Sequence, residues 1–299
     1  MIGYLYIALA MVAGATKGYC GKRVSSHLVG NSDAALTSFV RMIICTLVGF
    51  VLAALQTGEI LPYADTMALV SALISGVATA FFIISWIISI RSGSFVMVDV
   101  FLTLGVGVTL VLSAMLGEKV RLTQILGFAL LVIAAYIMCS YNKTLNGKMS
   151  LKSLLLLIIC GASSGTADFA QKLFNHTSKG TGVAAFNFYS YLFSTVVIFI
   201  AYLVLRRGEK GSVSVFKTGA AKKVFVFVAI MAIMLFVNSY FKTLAAAKLD
   251  AVLLYPLNQG LTLISSVVMA SVVFKEKATL RCLVGVAVAF VSLLIINLI

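Results

Sequence analysis

"LGEKVRLTQILGFALLVIAAYIM" fills Leu116–Met138, and "FKEKATLRCLVGVAVAFVSLLII" fills Phe274–Ile296. Each opens on a charged knot, crosses a polar shoulder and runs on without charge. Glu118 and Glu276, Lys119 and Lys277, Leu122 and Leu280, and Gly127 and Gly285 all stand 158 positions apart. The same passage therefore closes each half of the chain. The knot reads as a connection between two apolar segments, with the Glu-Lys pair a headgroup-level staple and helix start. The other reading, a coupling carboxylate, asks an exposed loop glutamate to act at depth.

The surrounding composition says what the apolar runs cross. The chain is 62% hydrophobic and 11% charged, with a mean hydropathy of +1.11, whereas a soluble domain carries roughly a quarter charged residues. Apolar blocks near 20 residues long match the ~30 Å of a bilayer core crossed as a helix. With 2 prolines in the whole chain and no ~10-residue alternating segments, a helical bundle is expected rather than a barrel. The net charge of +14 sits mostly in the connections, which points to anionic lipid headgroups and topology rather than nucleic acid. The 5 cysteines are isolated and only 2 histidines occur, so neither a metal site nor a disulfide framework is expected, and no cofactor is implied. The first apolar block starts at residue 2 without a basic leader, and is read as a retained span.

Ten spans follow, at about 2–22, 33–55, 66–90, 94–116, 122–141, 152–174, 183–205, 224–246, 251–273 and 279–298. One connection is long, 206–223, and its Gly, Ser and Lys content reads as a solvated loop. Sliding the first half by 150 positions brings Lys22 over Lys172 and Gly30 over Gly180. The offset grows to 158 at the end because of that long loop. The expected fold is an all-α membrane protein of ten transmembrane helices, built as two five-helix repeats over 1–142 and 143–299. Five is odd, so the second copy enters the membrane facing the other way. Inverted repeats of this kind are typical of carriers that alternate access around a midplane site.

The doubled passage resembles the end of each EamA repeat in the drug/metabolite transporter superfamily. There a Gly-Glu-basic turn precedes a leucine, polar residues and a glycine. Gly117-Glu118-Lys119 with Leu122, Gln124 and Gly127 fits; the second copy departs with Lys275 for the glycine and Cys282 for the glutamine. Arg41, early in the second span, is similar to a basic residue of that family. The resemblance implies a ten-helix bundle whose central cavity is lined chiefly by the first, third and fourth spans of each repeat. It also implies a secondary carrier of a small metabolite or amphipathic compound.

Ionisable groups at membrane depth are costly and are functional candidates by default. Lys17, Arg41 and Asp99 lie about five to eight residues from the face reached after the first span, at ~1.5 Å per residue. Asp168, Lys172 and Lys242 lie near the opposite face. Asp99 is expected to pair with Lys17 or Arg41, and Asp168 with Lys242 or Lys172, each set closing its side as a gate or binding a charged part of the substrate. The plainer reading has Arg41 and Lys172 snorkelling to headgroups. Among uncharged residues, Asn238 and Asn258 are expected to face the cavity or another helix, and Tyr240 and Tyr255 lie between the charged sets. Trp86 either stacks on a cationic or aromatic substrate or anchors an interface. Gly14–Gly18 and Gly161–Gly165 have the spacing of close helix packing, or of a hinge.

Of the 23 basic residues, fifteen fall in connections on the face reached after the first span. The charge rule puts that face in the cytoplasm, while the family resemblance implies the reverse. No Walker A sequence is present, so direct ATP drive is not expected, and no convergent catalytic set marks an enzyme. The expected role is secondary transport in the cell membrane, coupled to protons or to a counter-substrate, by a monomer or homodimer with membrane lipids around it. A lipid or lipid-linked headgroup flippase of the same fold is the alternative. Intramembrane bases outnumber acids four to two, a hint of an anionic or zwitterionic solute.

Overall fold

The computed structural model describes residues 2–59, 61–92, 95–117, 121–146, 150–209, 215–217, 219–275 and 280–297. The chain runs as helices α1 (Ile2–Ser25), α2 (Asn31–Thr57), α3 (Thr66–Ser92), α4 (Phe95–Thr103), α5 (Gly105–Ala114), α6 (Leu122–Asn146), α7 (Leu151–Thr177), α8 (Val183–Gly208), α9 (Ala221–Ala246), α10 (Ala251–Val268) and α11 (Leu280–Asn297). Among the described residues eight helical passages are long and apolar enough to cross a membrane, α4 and α5 counting as one. The more basic α1, with Lys17, Lys22 and Arg23, and the shorter apolar α11 complete ten. The chain is an all-α, multi-pass membrane protein.

Why these helices stand in lipid is visible on α1. Leu5, Leu9 and Val12, at helical spacing, are exposed and suit hydrocarbon. Its buried face is small: Gly3, Ala10, Gly14, Gly18 and Gly21. Lipid tails are as apolar as leucine, so association depends on close van der Waals approach, and small residues permit it.

Packing is reciprocal between the halves. Helix α1 packs on α9 while α3 packs on α7; α2 packs on α8, α6 on α11, and α4 and α5 on α10. The doubled passage shows why. A Cβ on Gly127 would meet Ile296 Cγ1 at 2.4 Å, and one on Gly285 would meet Met138 Sδ at 2.8 Å. Met138 and Ile296 are themselves 158 positions apart, so each glycine seats the far end of its twin. The two closing helices therefore run antiparallel against each other. Ser292 Oγ adds a hydrogen bond to the Gly127 carbonyl.

The knots Glu118-Lys119 and Glu276-Lys277 lie outside the described residues, but their entrances do not. Gly117 has φ +90°, and Lys275, which replaces it in the second copy, has φ +52°. The turn keeps its left-handed backbone even where the sequence departs from glycine, at a cost to the lysine of roughly 1 kcal/mol. Gln124 then opens α6 by accepting from the Arg121 amide at 2.9 Å.

Two spans differ from expectation. The fourth is broken at Leu104 into α4 and α5. There Thr103 Oγ1 donates to the Val100 carbonyl at 2.6 Å, and Gly105 lies against α7, where its Cβ would be 2.4 Å from the Gly161 carbonyl. The ninth ends in a π-helical turn, Met269–Val273.

Candidate functional site

The charged spans converge on one cavity rather than on two separate faces. It is lined from α1 by Gly14, Lys17 and Gly18, from α3 by Thr79, Phe82 and Trp86, and from α4 by Phe95, Asp99 and Leu102. The second half answers with Ser164, Asp168 and Gln171 of α7, Asn238 and Lys242 of α9, and Asn258, Gln259, Thr262 and Ser266 of α10. These are the first, third and fourth spans of each half, with Tyr191 of α8 added. Its volume is about 80 Å³, counted as space that the centre of a water molecule can reach. One water needs roughly 10–15 Å³ of such space, so the cavity is the size of a small solute.

Asp168 and Lys242 form an ion pair inside the cavity wall, with side chains 3% and 13% exposed. Tyr255 is fully buried; its hydroxyl donates to the main-chain carbonyl of Asp168 and holds that turn of α7 against α10. Lys172, the other expected partner of Asp168, instead donates to the Leu249 carbonyl at 3.3 Å. It is not among the lining residues.

Across the cavity, Trp86 is 3% exposed, so it is no interfacial anchor. Gly21 of α1 leaves room for its ring: a Cβ there would fall 2.2 Å from the indole. Two cations attend it, Lys17 Nζ at 5.9 Å and the Arg41 guanidinium at 5.8 Å from the ring centroid. Lys17 Nζ is also 5.6 Å from the Phe82 centroid. Among the described residues Lys17 makes these aromatic contacts and no ion pair, so the expected Lys17–Asp99 pair is replaced by shared placement on one wall. Arg41 does not snorkel. It is 1% exposed, behind Trp86, and its Nε and Nη2 find no acceptor among the described residues.

Asn238 donates to the Ala10 carbonyl at 2.6 Å, which fastens α9 to α1 across the gap that Gly14 leaves. Asn258 lies on the cavity wall, 5% exposed. Tyr240 does not reach the cavity. Its hydroxyl accepts from Gln56 Nε2 at 3.0 Å and its ring stacks on Phe236. The glycine pairs also part ways. A Cβ on Gly161 or Gly165 would meet the backbone of the fourth span at 2.1–2.4 Å, whereas one on Gly14 or Gly18 would meet side chains of Asn238 and Phe95 beyond 3 Å.

Outside the spans, each face carries a clasp between the halves. On the face of the termini, Asp65 caps α3 through the Ala68 amide at 2.8 Å. It also accepts from Ser178 Oγ at 2.6 Å, the Lys179 amide at 3.1 Å and Thr181 Oγ1 at 3.0 Å. The Ser178 hydroxyl and the Ala68 amide hold its carboxyl down to about 2. On the other face Glu209 accepts from Ser32 Oγ at 2.7 Å and from the amides of Asn31 and Ser32 at 2.9 and 3.0 Å. Those bonds, the Ser32 hydroxyl foremost, lower its pKa as well.

Sequence reasoning missed Thr79, Phe82, Ser164, Gln171, Tyr191, Thr262 and Ser266. Most were findable. Ser164, Asp168 and Gln171 recur at i, i+4 and i+7, as do Phe95, Asp99 and Leu102; Asn258, Thr262 and Ser266 recur at i, i+4 and i+8. A polar stripe at helical period inside an apolar span marks the inward face.

Residues 1–140 match the EamA-like transporter family. No curated protein matches the chain by sequence. A solved structure, "Crystal structure of protein", is similar at 14% identity and a TM-score of 0.68, with 99% of this chain and 96% of that one covered. That likeness speaks for the fold alone.

Proposed function

We propose, from a chain whose first 140 residues are EamA-like, that this multi-pass membrane protein is a secondary carrier of a small organic solute in the cell membrane. The observation that carries this reading is the cavity itself. It lies between two halves that pack reciprocally, and the corresponding helices of both supply its wall. Repeats 1–142 and 143–299 would rock about it, opening one face and then the other, as inverted repeats do. Lys17, Asp99, Asp168, Lys242 and Trp86 form the binding and gating group, with Asn238 and Asn258 beside them. Arg41 and Tyr255 support that group from behind. Lys172 and Tyr240 lie outside that group.

Asp99 and Asp168 are the acids placed to carry a proton, and exchange against a counter-substrate is the other form of coupling. The flippase alternative draws less support. It needs a basic cleft open to lipid, whereas Arg41 is sealed behind Trp86 and Lys172 is engaged outside the cavity. Reconstituted protein should catalyse counterflow of a labelled solute in liposomes, with Asp99→Asn and Asp168→Asn variants slowed at normal insertion. Headgroup flipping without solute uptake, or normal rates in both variants, would defeat the proposal. A C-terminal tag probed with protease on intact cells decides which face is cytoplasmic.

A further inference from the structure

Outside the cavity, three spans bring basic side chains to one place. On the face reached after the first span, Tyr19 of α1 stands against two rings of the second half. Phe227 of α9 lies 6.3 Å away, edge to face, and Phe274, directly after the π-helical turn of the ninth span, is stacked at 5.9 Å. Helix α9 runs antiparallel to α1, since Gly3 meets Leu249 while Tyr19 meets Phe227. Arg23 follows Tyr19 by one helical turn, and Lys223 precedes Phe227 by one turn. Both cations therefore lie one turn beyond the rings, toward the same face. Lys275 follows Phe274 directly. All three cations are exposed.

Among the described residues none of these three cations is paired with a carboxylate. Arg23 Nε donates to the Tyr19 hydroxyl at 3.2 Å, and the guanidinium lies 5.3 Å from the Tyr19 centroid and 5.8 Å from that of Phe274. One edge of the guanidinium is thus fixed, and its terminal N–H groups remain for an outside acceptor. That planar fork matches the oxygens of a phosphate. The sequence at 22–23, 222–223 and 275–277 holds six bases and one acid, Glu276. Cations gathered in this way repel one another unless an anion lies among them. Toward the membrane interior along the same two spans, Phe225, Val226, Val272 and Val273 are exposed. An occupant that suits both features is anionic at its head and apolar beneath.

We infer that the ends of α1, α9 and the ninth span bind an anionic phospholipid, with its phosphate on Arg23, Lys223 and Lys275 and its chains along the apolar side chains beneath. The inference goes beyond the carrier reading and does not depend on it. General attraction to an anionic leaflet is spread over every cation of a face. This site is set apart by Arg23, which two aromatic rings and a hydroxyl hold in place, so little side-chain freedom is lost on binding. The occupant also stands close to the cavity. Phe274 packs edge-on against Phe95 at 5.8 Å, and Phe95 lines the cavity. A headgroup that ties Arg23 to Lys275 therefore holds this ring layer together at one end of that space.

The test uses purified full-length protein in neutral detergent, titrated with dioleoylphosphatidylglycerol, with dioleoylphosphatidylcholine, or with inorganic phosphate alone. A ligand that binds only the folded form raises its melting temperature. Phosphatidylglycerol should give a saturable rise, and neither phosphatidylcholine nor phosphate should match it at equal concentration. Arg23→Gln should raise the half-saturating lipid concentration by about fivefold, the factor that one basic residue near an anionic surface supplies. Lys223→Gln, exposed and on another helix, should do the same, which guards against a fault in folding at Arg23. Each variant is read against its own melting temperature without lipid. Arg207→Gln, at the end of α8 on the same face, should stay within twofold of the parent. An equal rise with phosphatidylcholine would mean generic lipid packing, and an equal rise with phosphate would mean a soluble anion. A loss in Arg207→Gln as large as in Arg23→Gln would mean diffuse charge alone. Any of these, or Arg23→Gln and Lys223→Gln both within twofold of the parent, would overturn the inference.

Discussion

Replacing Asp168 by Asn removes a carboxylate whose side chain is 3% exposed and whose partner, the Lys242 ammonium, is 13% exposed. Breaking a buried pair from one side leaves the other charge uncompensated, at roughly 3–5 kcal/mol, whereas replacing both partners by uncharged residues is often neutral. The structure points to the lower end. Lys242 keeps some access to a cavity that can admit water, and hydration softens the penalty. The loss is felt twice, however, because Asp168 lines the same cavity as Lys17 and attracts that ammonium as well. About 3 kcal/mol is therefore expected for Asp168→Asn, which in a chain of this length is a fall of roughly 6 °C in melting temperature. Lys242→Met should cost a similar amount, and the double variant should melt within about 2 °C of the parent, by the same rule for pairs. The chain has a single tryptophan, Trp86, on the facing wall, so its fluorescence in nanodiscs reports unfolding without a label. A double variant that loses the sum of the two single shifts, or singles that shift by less than about 2 °C, would show that these side chains are not a buried pair and would refute the reasoning. The double variant should also fold and fail to transport, which separates a structural pair from a working one.

Three further outcomes follow from the packing and the loops. Gly165→Ala places a methyl 2.1 Å from the Gly105 carbonyl and should cost about 1–3 kcal/mol, whereas Gly14→Ala meets only the Asn238 amide at 3.2 Å and should cost less than about 1 kcal/mol; melting curves run side by side decide it. At the doubled turn, Lys275→Gly should stabilise by up to about 1 kcal/mol and Gly117→Ala should destabilise by a similar amount, since both positions hold a left-handed backbone. Asp65, with its carboxyl held near 2 against about 4 in an unfolded chain, contributes stability that is present above pH 4 and drains away as pH falls toward 2. An acid titration of melting temperature should show that loss in the parent and not in Asp65→Asn, and equal acid profiles would remove the clasp from the account.

The repeat was legible because four residue pairs kept one spacing, and the structure gives that spacing a meaning in Gly127 and Gly285 seated on each other's helices. The span count survived for a similar reason: apolar length is a one-dimensional property. Two charged sets assigned to opposite faces share one small cavity. Position along a helix says nothing about distance across the bundle, and Lys17 and Lys242 line the same cavity from different helices. Rotation about each helix was the missing coordinate. Tyr240 and Lys172 turn away from the cavity, while Tyr191 turns inward with no polar stripe to announce it. The alternative in which Arg41 snorkels fails because its burial depends on Trp86, whose ring is seated by a glycine, Gly21, in another helix.

The loops add a constraint that no span could have shown. Asp65 stands between the second and third spans of the first half and grips the residues that lead into α8. Glu209 stands between the second and third spans of the second half and grips the residues that open α2. Each is a carboxylate from the corresponding loop of its repeat, holding the entrance to the second helix of the other, and the two lie on opposite faces. Both are closed at once here, around a cavity sized for one small solute. If the protein opens its faces in turn, as the proposed carrier would, one clasp would part while the other holds, and the two carboxylates would set the relative ease of the two openings. Charge-assisted bonds to hydroxyls and amides suit that duty: each is strong enough to close a face, and each can be exchanged for water once the face opens.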